Sequence, residues 1–136
     1  MLNSQDCLFC KIATGKIPSH IIYEDEKYLC FLDIRPHTVG DSLLIPKKHY
    51  VWTYDVPDFG EYWETARKIT QLMMEKLNAD WVNYFTYGHI QHAHIHILPR
   101  YKSIYDASNK DMIPPEMKVT QEELKAISER FHNPSR

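Results

Sequence analysis

Apolar and polar residues recur along the chain with periods that predict both strands and helices. The stretch HIIYEDEKYLCFLD holds two β-rich runs around the polar segment EDEK, which predicts a β-hairpin. SLLIP, residues 42–46, predicts a further short strand that its proline ends. Two later runs, WVNYFTY and AHIHIL, predict the last two strands, with a loop between them.

The longest helical signal lies in residues 58–78. Its apolar residues recur at intervals of three and four, which places them on one face of a helix. We expect Asp58 and Glu61 to form a capping box at its start and Asn78 to end it. The apolar face consists of Trp63, Ala66, Ile69, Met73 and Leu77.

Shorter helices are expected near both ends of the chain. CLFCKIATG predicts a helical turn that ends at Gly15, and Thr120 with Glu123 predicts the start of a final helix. Consecutive strands without intervening helices favour an antiparallel sheet, so the fold class is α+β, with five strands packed on one long helix. The single domain divides into a main part at residues 1–101, a linker at 102–119, and a C-terminal helix and tail at 120–136.

The composition is that of an ordinary globular protein and argues against some classes of function. The chain has 136 residues, of which 43% are hydrophobic and 25% charged, and its formal net charge is -2. This charge gives no reason to expect binding to nucleic acid, and no apolar run approaches the ~20 residues of a membrane span. The first residues lack the pattern of a signal peptide, so we expect a cytoplasmic protein with reduced thiols.

Three histidines occupy alternate positions in the segment HAHIHILPR. Side chains two residues apart in a strand lie ~6.6 Å apart on one face of the sheet. His92, His94 and His96 would therefore share one face, while the apolar residues between them face the core. A row of imidazoles on one face indicates a functional site.

Two kinds of chemistry could use this row. Alternate histidines on a strand can hold a catalytic zinc ion that keeps an open coordination position. Alternatively, a neutral imidazole can attack phosphorus and carry a phosphoryl or nucleotidyl group, which divides one displacement into two. The residues alone leave both possibilities open.

The three cysteines fall into two kinds. Cys7 and Cys10 have the spacing of a metal-binding knuckle, although Cys-x-x-Cys also occurs in redox motifs and zinc needs two more ligands. Cys30 lies inside a predicted strand, and we expect it to be an interior residue.

The histidine row and the sequence before it resemble the histidine triad (HIT) family. HAHIHILPR has the form of the family signature, and the landmarks CLFC, GKIP, YED, FLDI and LLIPKKH extend the resemblance over residues 7–101. The resemblance implies that residues 1–101 form a HIT domain, which is commonly a homodimer. It also implies cleavage at the α-phosphate of adenosine-type conjugates through a covalent nucleotidyl-histidine. Such conjugates are dinucleoside polyphosphates, phosphoramidates and adenylylated species.

The resemblance assigns roles to individual residues of the substrate site. His94 would be the nucleophile, and His96 would contact the phosphate or the leaving group. Asp33 would accept hydrogen bonds from the ribose hydroxyls, since a carboxylate can accept from both. The base pocket would be lined by Leu8, Phe9, Ile12, Phe31 and Ile34.

The resemblance also implies a structural zinc ion. Family members that begin with Cys-x-x-Cys complete the site with a histidine after PKK and the first histidine of the triad. In this chain those residues are His49 and His92, which would join Cys7 and Cys10 in a closed Cys₂His₂ site.

The sequence departs from the family pattern at two places. Where the family frequently has histidine after glycine, this chain has Asp41, and we expect this acid to raise the pKa of a nearby imidazole. The serine-containing loop that often precedes the triad and binds phosphate is also absent. The positional candidates for its role are Asn83, Thr86, His89 and Gln91.

A nucleotide hydrolase or transferase is the leading hypothesis for the function. The missing phosphate loop supports a catalytically weak nucleotide-binding module instead, and a zinc hydrolase with three triad ligands is a further alternative. Arg100 and Lys47 are candidates for neutralising substrate phosphates. The remaining histidines, His20, His37 and His132, are expected on the surface.

Overall fold

The computed structural model describes residues 6–102 and 112–132. Within these residues the chain forms three α-helices and five strands in the order α1-β1-β2-β3-α2-β4-β5-α3, which confirms the predicted order. Among these helices, none combines the length and hydropathy that crossing a membrane requires. The elements are α1 Leu8–Ala13, β1 Ile21–Glu24, β2 Tyr28–Leu32, β3 Ser42–Pro46, a 3₁₀ turn Thr53–Asp55, α2 Phe59–Leu77, β4 Trp81–Phe85, β5 Ile95–Arg100 and α3 Gln121–His132.

The five strands form one antiparallel sheet in the order β1-β2-β3-β5-β4, so the α+β prediction is confirmed. The histidine strand β5 lies between β3 and β4. Leu43 of β3 and Phe85 of β4 are the cross-strand partners of His96. Both neighbouring strands therefore contribute side chains to the face that carries His96.

The two faces of the sheet pack against different helices. Leu44, Ile95 and Ile97 face the long helix α2, where they bury its apolar stripe, including Ile69 and Met73. Each fully buried side chain of this kind contributes ~1.5–3 kcal/mol to stability. On the opposite face, apolar residues of β2 and β3 pack against α1, which has only six residues. This short helix is the N-terminal cover of the face that carries the histidines.

The two ends of α2 differ in how well the sequence predicts them. Asn78 ends the helix in a left-handed conformation with φ of 58°, as predicted. The predicted capping box is wrong, because the side chain of Asp58 makes no capping hydrogen bond within the described residues. Asp58 has a left-handed conformation with φ of 53°, whereas an N-cap residue is ordinarily extended. The ammonium group of Lys27 lies 3.3 Å from Asp58 and 3.0 Å from Glu61.

The final helix α3 begins at the predicted capping box. The N–H of Glu123 donates to Oγ1 of Thr120 over 3.1 Å, and the N–H of Thr120 donates to Glu123 over 3.2 Å. Leu124 and Phe131 bury the helix against the main core. A ring nitrogen of His132 donates to the carbonyl of Ile21 over 2.7 Å, so α3 lies along the β1 side of the sheet.

The segment before α3 is described from residue 112. Residues 103–111 of the predicted linker and residues 133–136 of the predicted tail lie outside the described residues. The carbonyl of Pro114 accepts a 2.7 Å hydrogen bond from Nδ1 of His37, and the N–H of Met117 donates to Pro36 over 2.7 Å. These bonds join the segment to the connection between β2 and β3.

Candidate active site and metal centre

The three triad histidines lie where the chain enters β5. The strand begins at Ile95, so the prediction that all three histidines lie within it is wrong: His92 and His94 precede it. A backbone hydrogen bond of 2.6 Å from Ala93 to the loop after β3 holds this segment in place. The predicted alternation continues nevertheless, since Ala93 and Ile95 pack in the α2 core while the imidazoles face the α1 side.

His92 belongs to a cluster with His49, Cys7 and Cys10, the cysteine–histidine cluster. Nδ1 of His92 lies 3.3 Å from Sγ of Cys7 and 3.4 Å from Sγ of Cys10. Nδ1 of His49 lies 3.3 Å from Sγ of Cys10. Helix α1 brings the thiols together, because Cys7 is its N-cap and Cys10 lies three residues later. All four sequence-predicted ligands thus meet, with donor atoms within 4.8 Å of one another.

The geometry of this cluster fits a tetrahedral zinc ion. Zinc–ligand bonds of ~2.3 Å to sulfur and ~2.0 Å to nitrogen place neighbouring donors ~3.6 Å apart. The observed sulfur–nitrogen distances of 3.3–3.4 Å are close to this separation. Nε2 of His92 donates to the carbonyl of Pro46 over 2.8 Å, which leaves the Nδ1 lone pair directed at the thiols. Burial lowers the pKa of His92 to about 4, so the ring is neutral, as a ligand must be.

His94 is oriented by the backbone that precedes it. Its Nδ1 lies 2.8 Å from the carbonyl oxygen of His92, and because a carbonyl only accepts, Nδ1 carries the proton and Nε2 the lone pair. Nε2 has no hydrogen-bond partner within the described chain. Burial lowers the pKa of His94, which keeps the ring neutral near neutral pH. A neutral imidazole with an unshared lone pair can act as a nucleophile.

His96 lies next to His94, with ring centroids 5.1 Å apart. It stacks on Phe85 at 4.5 Å, and the edge of Tyr87 approaches it at 5.1 Å. Burial lowers the pKa of His96 to about 3, so the expectation that Asp41 would raise the pKa of an imidazole is wrong here. A neutral ring has one N–H to donate, which suits contact with a phosphate oxygen.

His94 and His96 border a cavity of about 720 Å³ on the α1 side, the histidine cavity. This volume lies within the range of small-molecule sites, ~300–1,000 Å³. The predicted site residues that line it are Leu8, Phe9, Ile12, Phe31, Asp33, Ile34 and His89. The other lining residues are Ile17, Pro18, Ser19, His20, Leu32, Arg35, Leu43, Ile90 and Gln121.

Two of these lining residues, His20 and Gln121, could not be found from local sequence. Nε2 of His20 donates to the amide oxygen of Gln121 over 2.8 Å, although the two residues are 101 positions apart. The docking of α3 beside β1 creates this contact. The expectation that His20 is simply a surface residue is therefore incomplete, because its ring also borders the cavity.

Of the four positional candidates for phosphate contacts, His89 lines the cavity and the other three do not. Asn83 is directed elsewhere, because its amide oxygen accepts a 3.0 Å hydrogen bond from Arg100. Thr86 and Gln91 lie in the same loop region as His89, outside the lining of the cavity. The ring of His89 lies 5.6 Å from that of His94 and nearly perpendicular to it.

The two basic residues considered for phosphate neutralisation also lie outside the lining of the cavity. Arg100 is buried and donates to the carbonyl of Met112 over 3.2 Å, besides its bond to Asn83. Nζ of Lys47 lies 2.8 Å from the carboxylate of Glu24. Neither side chain is placed to reach a group beside His94.

Two carboxylates lie beside His96. Asp33 follows β2 and Asp41 precedes β3, and the N–H of Asp33 donates to the carbonyl of Asp41 over 2.9 Å. One oxygen of each carboxylate and one ring nitrogen of His96 lie within 4.8 Å of one another. Burial raises the pKa of Asp33, and burial together with the charge of Asp33 raises the pKa of Asp41 to about 7.

Comparisons with known proteins agree with this architecture. The family model of the HIT domain matches residues 14–103. An uncharacterized HIT-like protein of Methanocaldococcus jannaschii is 38% identical over 104 residues, which are 71% of this chain and 80% of that protein. The adenosine 5'-monophosphoramidase of Saccharomyces cerevisiae is 32% identical over 100 residues, 69% of this chain and 62% of that protein.

A solved structure has the same fold. The crystal structure of a zinc-bound histidine triad family protein from Mycobacterium smegmatis has a TM-score of 0.69 and 31% identity, covering 96% of this chain and 98% of that chain. Its fold and the family match agree with the histidine row and the cavity beside it. The chain belongs to the histidine triad (HIT) family.

Proposed function

We propose that this protein cleaves nucleotide conjugates at the α-phosphate, with His94 as the nucleophile. The observation that carries the proposal is the state of the His94 ring, whose Nδ1 proton is held by the His92 carbonyl while Nε2 has no partner among the residues described. This ring borders a cavity large enough for a nucleotide. The similarity to a yeast adenosine 5'-monophosphoramidase supports an adenosine-type substrate.

The cavity offers separate surfaces to the parts of a nucleotide. Phe9 and Phe31, with ring centroids 5.5 Å apart, form an apolar wall together with Ile12, and this wall suits a flat base. The Asp33 carboxylate lines the same cavity close to His96, and it would accept hydrogen bonds from the ribose hydroxyls. The α-phosphate would then lie against His94.

The reaction takes place in two displacements. Nε2 of His94 attacks the α-phosphorus, an N–P bond forms, and the bond from phosphorus to the leaving oxygen or nitrogen breaks with its electron pair. The leaving group takes up a proton and departs. Water then attacks the same phosphorus, loses a proton, and breaks the N–P bond, which releases the nucleoside monophosphate and the neutral ring. The His92 carbonyl stabilises the positive charge that the His94 ring gains in the first step.

His96 and His89 would contact the transferred phosphate. The His96 ring stacks on Phe85, lies beside His94 and lines the cavity, so its position next to the transferred phosphate is defined. His89 lies in the loop that precedes the triad, with its ring 5.6 Å from that of His94. We propose that its ring supplies a hydrogen-bond donor that the missing serine loop would otherwise supply.

Cys7, Cys10, His49 and His92 would hold a zinc ion. Such an ion supplies a cross-link and no catalytic group, because four protein ligands leave no open position. The alternative of a zinc hydrolase with three triad ligands finds no support, since Nδ1 of His92 faces the thiols while Nδ1 of His94 faces a carbonyl oxygen.

A homodimer is the proposed assembly. Helix α2 and the edge strand β4 share an aromatic surface in which Phe59 contacts Trp63 and Trp63 contacts Tyr84, with centroids 6.2 and 5.7 Å apart. Phe59 and Tyr84 are exposed in the single chain, at 46% and 40%. Sedimentation of the wild type and of a Tyr84→Lys variant measures the oligomeric state and tests this proposal. A wild-type protein that is monomeric at all concentrations would contradict it.

The test of the mechanism uses adenosine phosphoramidate and a dinucleoside polyphosphate labelled at the α-phosphate. We expect rapid quenching to trap an acid-labile label on the wild-type protein. His94→Ala should lose turnover and label while still binding the monophosphate. His132→Ala serves as the matched control and should turn over substrate as the wild type does, because this exposed histidine bonds to the carbonyl of Ile21 and does not line the cavity. Full turnover by His94→Ala would exclude the mechanism, and wild-type binding without turnover or label would favour a binding module.

A further inference from the structure

Asp41 is a buried carboxylate to which the proposed reaction assigns no role. Its side chain is 1% exposed, and its Oδ2 accepts a 2.9 Å hydrogen bond from the N–H of His37. Its other oxygen, Oδ1, has no hydrogen-bond partner among residues 6–102 and 112–132. An unpaired carboxylate oxygen in the interior is unfavourable unless a proton or a cation satisfies it.

His96, which lies beside Asp41, also has a buried ring nitrogen without a hydrogen-bond partner in the described part of the chain. The residue is 7% exposed, and this nitrogen is Nε2. Asp33 completes the group, since one oxygen of each carboxylate and a ring nitrogen of His96 lie within 4.8 Å of one another. We call Asp33, Asp41 and His96 the carboxylate–histidine cluster.

Strand pairing explains why these three side chains meet. Leu32 of β2 is paired with Ser42 of β3, so the next residues outward, Asp33 and Asp41, lie opposite each other. Like charges in opposite positions repel, so this arrangement is unfavourable unless a proton or a cation lies between the two carboxylates. Leu43 of β3 is paired with His96, which places the imidazole on the same face of the sheet.

We propose that the carboxylate–histidine cluster binds a divalent metal ion of the Mn²⁺ type at the inner end of the histidine cavity. Carboxylate oxygens suit Mg²⁺, Ca²⁺ and Mn²⁺, while imidazole suits later transition metals, so a mixed set favours Mn²⁺ or Fe²⁺. Donors on opposite sides of such an ion lie ~4.4 Å apart when the bonds are ~2.2 Å long. A small movement of the three side chains towards one another would therefore bring their donor atoms to bonding distance from one ion. The ion would take one oxygen of each carboxylate and a ring nitrogen of His96, and its charge would offset the repulsion between the two carboxylates.

This site is distinct from the cysteine–histidine cluster. The two clusters share no residue, and their donor chemistry differs, because thiolates select zinc whereas Mn²⁺ favours oxygen. Three protein ligands leave coordination positions open towards the cavity, which Asp33 and His96 also line. If the proposed function holds, the ion and the nucleotide require the same Asp33 carboxylate, so bound Mn²⁺ should compete with nucleotide.

The test titrates Mn²⁺ into protein that already carries zinc, in the absence of nucleotide, and follows the loss of the free Mn²⁺ electron paramagnetic resonance signal. We expect one saturable Mn²⁺ site per chain. Asp41→Asn and Asp33→Asn should each weaken Mn²⁺ binding by about tenfold or more. Glu26→Gln, which removes an exposed carboxylate from the β1–β2 turn, should bind Mn²⁺ as the wild type does.

Two results would overturn the proposal. One is a wild-type protein without saturable Mn²⁺ binding, and the other is unchanged affinity in the Asp33 and Asp41 variants. Either result would mean that the carboxylate–histidine cluster is not a Mn²⁺ site. Asp33 is only partly buried, so Asp33→Asn gives an answer even if Asp41→Asn does not fold. The titration contains no substrate, so its outcome is independent of whether His94 proves to be a nucleophile.

Discussion

The carbonyl oxygen of His92 accepts a 2.8 Å hydrogen bond from Nδ1 of His94. The ring of the same His92 faces the thiols of Cys7 and Cys10. One residue therefore belongs to the candidate metal centre through its side chain and orients the candidate nucleophile through its backbone. Any change that moves the cysteine–histidine cluster should alter the direction of the His94 ring.

Cys7→Ser tests the candidate zinc centre. If the cysteine–histidine cluster holds zinc, the variant should bind none and become less stable by more than ~2 kcal/mol, because such an ion would join α1 to the segment before β5. Zinc content by mass spectrometry and unfolding in urea measure the two effects. Cys30→Ala is the matched control, since this fully buried cysteine lies in β2 and belongs to the other face of the sheet, and the variant should keep its zinc. A Cys7→Ser protein with full zinc content would contradict the ligand set.

Asp33→Asn tests the ribose contact. An amide has one uncharged accepting oxygen in place of two charged ones, so binding of adenosine monophosphate should weaken by about 1.5–3 kcal/mol. Binding of the 2',3'-dideoxy analogue should change little, because this ligand has no hydroxyl to donate. Calorimetric titration of both ligands gives the comparison. An equal loss for the two ligands would show that Asp33 does not recognise the ribose.

Asp41→Asn tests the buried carboxylate through the pH dependence of folding. Burial raises the pKa of Asp41 from 3.8 to about 7, so between these values the folded protein holds a proton that the unfolded chain has lost. The free energy of unfolding therefore falls as pH rises through this window, and asparagine removes that fall. Relative to the wild type, the variant should gain about 2–3 kcal/mol between about pH 5 and about pH 8, without added manganese. If the difference in the free energy of unfolding between the variant and the wild type is the same at every pH, the pKa of Asp41 is not raised.

Thr120→Ala tests the capping box of α3. The variant loses the acceptor for the N–H of Glu123, and a loss of about 1 kcal/mol in the free energy of unfolding is expected. Lys125→Ala, at an exposed position of the same helix, should stay within about 0.5 kcal/mol of the wild type. Thermal unfolding of both variants makes the comparison, and equal stability of the two would show that the box contributes nothing.

The helix ends could be predicted from sequence where interactions between neighbouring residues determine them. Asn78 adopts the left-handed conformation that ends α2, and Thr120 with Glu123 starts α3, because these interactions involve neighbouring residues only. Asp58 and Glu61 have the same capping pattern but do not form the box. Asp58 instead adopts a left-handed conformation, and both carboxylates contact Lys27, which lies more than thirty residues away in sequence.

In the candidate site, too, some residues could be predicted from local sequence, whereas others are placed by tertiary packing. The spacing of Cys7 and Cys10 within one helical turn is local, and the family resemblance supplies the distant partners His49 and His92. Gln121 could not be anticipated, because its place at the cavity depends on how α3 packs against β1. Asn83 was expected at the phosphate by its position in the chain, yet Arg100 on the adjacent strand holds its amide.

The alternation of side chains in and before β5 limits how this protein can change. Leu43 is paired with His96 and Leu44 with Ile95, so a slip of one residue between β3 and β5 would exchange the histidines with the isoleucines. Imidazoles would then enter the packed side against α2, and the cavity would lose its polar groups. Insertions in the loop before β5 are tolerated only if they leave the pairing of β3 with β5 unchanged. Differences in length among related sequences should therefore lie away from the segment that leads into β5.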